Sequence, residues 1–259
     1  MSGPPWAPIF LTVLGLCVGS FLNVVIYRVP RQLSLVWPGS YCPACRAPIH
    51  WYHNLPVVGW MLVGGRCHAC RVPISIRYPF VEALTGGLFL LHLIVFGWDP
   101  ILIPRLLFAG AVIALFAIDL EHKLLPNAIT LPGIVAGLAF SLFFHPPRFL
   151  DSLIGVIAGY GSLWLVATAW ELLAKKEAMG GGDLKMLAMV GAFLGWQGVV
   201  ITFFVGFMIG GIFSALLLAA RRVQMASQIP FGTFLAVGAI VASFWGVRML
   251  DWYLSFYKM

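Results

Sequence analysis

Apolar runs of membrane-spanning length recur along most of this chain, at roughly 8–27, 79–97, 101–118, 128–145, 151–173, 184–195, 198–220 and 231–254. A run of about 20 mostly apolar residues spans the hydrocarbon core of a bilayer as a helix. Helices are favoured there because lipid offers the backbone no hydrogen-bond partner. Eight runs predict an all-α polytopic membrane protein of about eight transmembrane helices. Charged residues make up only 10% and mean hydropathy is +0.96, far from the roughly 25% charge of soluble chains. The sixth run is short. Residues 184–195 cover only about 18 Å of a core about 30 Å thick, so this run starts inside the membrane or is half of a broken element. The first run has no basic stretch before it and no small-residue cleavage site after it, which predicts a retained helix. There is no evident internal repeat.

The net charge of +7 is better assigned to orientation and anionic membrane lipid than to nucleic acid. With the N-terminus outside, Arg28, Arg31, Arg46, Arg66, Arg71, Arg77, Lys123, Lys175, Lys176, Lys185, Arg221 and Arg222 fall inside, and Arg105, Arg148, Arg248 and Lys258 fall toward the outside. Setting aside the long 28–78 segment, whose size weakens its vote, the excess is smaller but keeps its sign.

That segment is the only sizeable extramembrane piece. It carries Cys42-x2-Cys45 and Cys67-x2-Cys70. Two such knuckles present four thiolates to one tetrahedral ion, the pattern of structural zinc (Zn2+). A piece of about 50 residues buries little core, so metal closure supplies stability it otherwise lacks. Disulfides are the alternative, disfavoured in a reducing cytoplasm. His50, His53 and His68 are possible substitute ligands, but four cysteines already fill the shell. Gly64-Gly65 suits a knuckle turn or close approach of a cofactor. Cys17, in the first run, reads as a small buried apolar residue.

Only nine acids are present. Asp99 and Asp151 read as turn or cap residues, and Asp251 lies near an outer end. Glu171 and Glu177 flank Lys175 and Lys176 at a solvated helix end, and Glu121 faces water beside His122 and Lys123. Asp119 and Asp183 differ. Asp119 ends an apolar run, and Asp183 follows Gly180, Gly181 and Gly182 at the start of another. Both fall on the cytoplasmic side at similar depth, where an acid faces a bundle interior or wet cavity and is functional by default. Two such acids sharing a cavity hold one proton between them, which is what aspartic proteolysis requires. The glycines would allow unusual dihedrals and close approach of an extended substrate, and the helix start would favour an ionised Asp183. A flexible turn with a capping Asp is the plainer alternative.

These residues resemble the bacterial type IV prepilin peptidases, members of the GxGD aspartic proteases. The match lies in 180-GGGDLK-185, 119-DLEHKLLPN-127, 19-GSFLNVVIYRVP-30 and 73-PISIRYPFVEALTG-86, in the family's order and over nearly the whole chain. The resemblance implies cleavage of the basic leader from type IV prepilin or pseudopilin precursors at the cytoplasmic face of the bacterial inner membrane. It further implies N-methylation of the new terminus, with S-adenosyl-L-methionine as donor. On that footing Asp119 and Asp183 are the protease pair. Gly180, Gly182 and Lys185 belong to the protease loop. Cys42, Cys45, Cys67 and Cys70 hold zinc in a domain tied to methylation. The implied division is a first helix at 1–28, a zinc domain at 29–78 and a protease domain at 79–259. One departure matters: where the family often reads W-Y-D-N-[IL]-P, this chain reads 51-WYHNLP-56. His53 in place of the acid puts the methylase half in doubt. Glu82, Asn23, Asn54 and Gly65 are the remaining candidates there, although Glu82 reads equally as a partner of Arg77.

Rival readings are a peptidase with a weakened methylase half, an ion- or proton-coupled transporter, an intramembrane protease of presenilin type and a non-enzymatic assembly protein. The sequence is silent on oligomeric state and on which pilus, secretion or competence system supplies the precursors.

Overall fold

A computed structural model describes residues 3–175, 180–220 and 230–255. Lys176, Glu177, Arg221, Arg222 and Lys258 lie outside the described residues, as do the side chains of Arg248 and Asp251. The described chain is helical: α1 (Ala7–Arg28), α2 (Val58–Leu62), α3 (Arg77–Phe96), α4 (Leu102–His122), α5 (Asn127–Ser141), α6 (Phe149–Ala174), α7 (Gly181–Ala219) and α8 (Phe231–Ser255), with a 3-10 turn at Trp51–Asn54. Five helices, α1, α3, α4, α6 and α7, are long and apolar enough to cross a membrane; α5 and Phe231–Gly246 of α8 are shorter apolar helices. The expected sixth and seventh runs belong to one element, α7, broken at Gly195 (φ 72°, ψ −178°). That left-handed backbone excludes ordinary side chains and suits glycine. The short run is thus half of a broken element.

The chain forms two compact units, residues 1–102 and 103–259. In the first, α1 lies against α3. A Cβ at Gly15 would sit 2.8 Å from Gly86 Cα, and one at Gly19 would sit 2.7 Å from Glu82 Cα. In lipid, where tails are as apolar as leucine, such close approach is what holds helices together. Leu11, Leu22, Val25 and Ile26 of α1 and Val81, Phe89 and Leu93 of α3 are buried. Cys17 is exposed rather than buried, because a small apolar side chain facing lipid has nothing to hide from. Arg28 is buried at the end of α1, where its guanidinium donates to the carbonyls of Ser34, Pro38 and Gly39. This cation therefore also anchors the segment that follows.

In the second unit the buried core joins α4 (Phe108, Val112, Leu115) to the first half of α7 (Met186, Leu187, Met189, Val190) and to Leu235 of α8. Helices α5, α6 and α8 pack around α7. Helix α6 touches α7 backbone to backbone: a Cβ at Gly155 would lie 2.6 Å from Gly191 O and 2.9 Å from Gly191 Cα. This contact sets the position of the helix that begins with Asp183. Overpacking such a contact costs about 1–3 kcal/mol. A Gly155→Leu variant is therefore expected to unfold at a lower temperature in detergent. Gly161→Leu on the same helix, where an added Cβ meets nothing within 4 Å, leaves the midpoint close to wild type.

Candidate active site and metal centre

Asp119 lies in the last turn of α4, and Asp183 is the third residue of α7. Helix α4 closes at Lys123, whose N–H donates to Asp119 O at 2.8 Å with φ 50°. Both acids are buried, at 5% and 9% exposure, and lie within electrostatic reach of each other. Oδ2 of Asp119 accepts two hydrogen bonds from the start of α8: Thr233 N–H at 2.6 Å and Thr233 Oγ1 at 2.9 Å. Sequence reasoning missed Thr233. A lone threonine in an apolar helix carries no signal of its own, and 114 residues separate it from Asp119.

The glycines before Asp183 have a different physical reason from the one expected. Gly180 is extended at φ −72°, ψ 141°, and Gly181 and Gly182 are already helical, so no unusual dihedral is used. The constraint falls on Gly182, where a Cβ would sit 2.8 Å from Leu125 Cβ. Leu125 lies in the link that leaves Asp119, so the missing side chain lets the two acid-bearing segments approach. Lys185 Nζ donates to Asn127 Oδ1 at 2.8 Å and ties the start of α7 to α5. As expected for a turn residue, Asp99 Oδ1 accepts from Ile101 N–H, and Asp151 lies in the first turn of α6.

In the first unit, Glu82 is buried and its Oε2 accepts Val57 N–H at 2.7 Å, with Ser20 and Asn23 beside it. This is not the pairing with Arg77 weighed from sequence. Asn23 donates to Tyr78 O, while its own Oδ1 is buried without a described partner. The structure brings Glu82 and Asn23 together next to the segment that follows the Trp51–Asn54 turn. Asn54 itself is exposed. Gly65 is used for the knuckle: φ is 65°, its N–H donates to Trp60 O, and a Cβ would meet the Trp60 ring at 2.8 Å.

The sulfurs of Cys42, Cys45, Cys67 and Cys70 all lie within 4.8 Å of one another, with Cys42–Cys70 and Cys45–Cys67 at 3.9 Å. A disulfide bond is about 2.0 Å long, so these are four free thiols. Four sulfurs about 2.3 Å from a tetrahedral ion stand roughly 3.8 Å apart, and the cluster fits a thiophilic metal. Backbone N–H groups of Cys70 and Ala69 bring the Cys67 thiol down to about 6. Cys70 goes the other way, to about 11. There the Val72 N–H lowers it, but burial and the neighbouring sulfurs outweigh that effect. Four sulfurs this close are poised to shed their protons to a bound cation.

The absence of an internal repeat expected from sequence does not hold here. Segments 42–49 and 67–74 read CPACRAPI and CHACRVPI. Each closes with the same bonds, Arg46 N–H to Cys42 O and Arg71 N–H to Cys67 O, with both arginines at φ 59°. A single ion held by both knuckles would ask for the same turn twice. The His50, His53 and His68 rings pack 5.4–5.8 Å apart beside this cluster.

These features define a helical, membrane-type protein with two buried acids within electrostatic reach of each other and four cysteines placed to hold a metal ion. The chain belongs to the type IV leader peptidase family. That family's model matches residues 106–215, and a bacterial peptidase A24 N-terminal domain matches residues 13–96. A prepilin leader peptidase/N-methyltransferase of Aeromonas salmonicida is 38% identical, over 98% of this chain and 96% of its own length. One of Pseudomonas aeruginosa is 35% identical, over 99% and 97%. One of Myxococcus xanthus is 43% identical over 84% of this chain, which spans 65% of that longer protein. No solved structure matches the chain.

Elemental analysis of the purified protein is expected to find one metal ion per chain. Cys45→Ser removes most of it and lowers the unfolding midpoint, because ion binding and folding of this small segment are coupled.

Proposed function

We propose that this chain is a bifunctional membrane enzyme. It cleaves the leader from type IV pilin-like precursors by aspartic proteolysis and then N-methylates the new terminus. One observation carries the reading: two buried carboxyl groups, from the end of α4 and the start of α7, lie within electrostatic reach of each other in one helical unit. The names of the full-length relatives support both activities.

In this reading the ionised member of the pair takes a proton from water as the water oxygen bonds to the scissile carbonyl carbon. The protonated member donates a hydrogen bond to the carbonyl oxygen. The tetrahedral centre then collapses, the C–N bond breaks, and the amine nitrogen takes up a proton. Gly180 at the helix cap, Gly182 against Leu125 and Lys185 on Asn127 hold Asp183 at the mouth of α7.

Residues 1–28 form the first transmembrane helix, 29–78 the zinc domain and 79–259 the protease domain. Eight crossings follow if α5, α8 and each half of α7 span the membrane. The excess of inside cations puts both aspartates at the cytoplasmic face of the inner membrane, in contact with lipid. Cys42, Cys45, Cys67 and Cys70 would hold zinc, which closes the 29–78 segment. S-adenosyl-L-methionine would supply the methyl group. Glu82, Asn23, Asn54 and Gly65 are proposed for that half, with Glu82 and Asn23 the favoured pair because they are buried side by side. A second reading, a peptidase with a weakened methylase half, is favoured by His53 standing where the family pattern W-Y-D-N-[IL]-P has an acid.

Mass spectrometry of a precursor's N-terminus after incubation with the enzyme reads both steps together. Asp119→Asn and Asp183→Asn are each expected to slow cleavage by at least about a thousandfold and to leave methylation of a pre-cut peptide in place. Either variant cutting at the wild-type rate overturns the dyad. Cleavage by the wild type without added methyl establishes the second reading.

A further inference from the structure

The start of α8 is built around Asp119. An α-helix leaves its first N–H groups without intrahelical acceptors, and that of Thr233, two residues after Phe231 opens the helix, donates instead to Asp119 Oδ2. The Thr233 hydroxyl donates to the same oxygen. A carboxylate oxygen offers two lone-pair sites, so Oδ2 is fully engaged. The preceding residue is shaped to allow this. A Cβ at Gly232 would lie 3.0 Å from Asp119 Oδ2, 3.1 Å from its Cγ and 2.8 Å from Leu125 Cδ1. Any side chain there would press on the carboxyl group and on the link that leaves it.

We propose that Thr233 is a positioning residue for proteolysis: by occupying Oδ2 it fixes the plane of the Asp119 carboxyl group and leaves Oδ1 as the oxygen that exchanges protons with water and Asp183. Gly232 makes room for this arrangement. Asp119 in return caps α8, so one contact orders both the reactive group and the helix start. Thr233 touches Asp119, not substrate. Its loss should therefore slow turnover without weakening binding. The inference rests on the dyad reading above.

The test uses the full-length protein in detergent or nanodiscs, with a pilin precursor as substrate, and compares wild type, Asp119→Asn, Thr233→Val and Thr233→Ser. Thr233→Val keeps shape and N–H but removes the hydroxyl donor. It is expected to lower kcat about ten- to hundredfold, the worth of one hydrogen bond to a charged group, with KM within about twofold. Thr233→Ser restores the donor and recovers most of kcat. Metal content and methylation of a pre-cut peptide report folding. If Thr233→Val fails on those, Thr233→Ala, too small to crowd Asp119, takes its place. Wild-type kcat in the hydroxyl-less variant, a change confined to KM, or a serine variant as slow as valine overturns the proposal. Cleavage by Asp119→Asn at the wild-type rate overturns the dyad reading itself, a result distinct from the other three.

Discussion

Charge is expensive inside an apolar bundle, and the second unit is organised around holding two carboxyl groups there. A buried acid needs hydrogen-bond donors or a shared proton. Asp119 has both Thr233 donors on one oxygen, and Asp183 stands within electrostatic reach. The packing beneath them serves this end. Gly182 lets α7 start against Leu125, Gly232 lets α8 start against Asp119, and the bare contact of Gly155 with Gly191 sets how α7 lies on α6. Small residues occur where backbones must meet, and Asp119 and Asp183 stand beside two of those meetings.

The two units meet different physical problems with different means. The helical bundle has enough apolar surface in lipid to hold itself by close packing. The segment between α1 and α3 does not. It has few buried side chains, two of which are Cys42 and Cys67, and its order rests on a repeated knuckle whose four sulfurs are placed to hold one ion. The histidine cluster and the Trp51–Asn54 turn are arranged beside that closure. Glu82 of α3 then reaches the same segment through the Val57 N–H, so helix and knuckle segment share a hydrogen bond within the first unit.

Much of this was legible in the sequence because the signals are local. Apolar length pointed to the helices, cysteine spacing to the four-sulfur cluster, and the short run 184–195 to either a start inside the membrane or a broken element, the second of which the turn at Gly195 bears out. The scarcity of acids singled out Asp119 and Asp183. Other features were misread or unseen. The knuckle repeat escaped notice because only two turns of eight residues are alike. Of the two readings of Glu82, the pairing with Arg77 gives way to a backbone N–H 25 residues away. The glycines before Asp183 were credited with unusual dihedrals and room for a substrate, and the close approach at Gly182 is to Leu125 of the same chain.

The sequence by itself determined the helical membrane-type class and singled out the four cysteines and the two acids as candidates, because hydrophobic length, ligand spacing and the cost of charge in lipid act over short stretches or single residues. Only the tertiary structure decided what surrounds those acids. Which backbone approaches Asp119, and which oxygen it engages, depends on helices joined through more than a hundred residues of chain, and no local pattern encodes how such helices will pack.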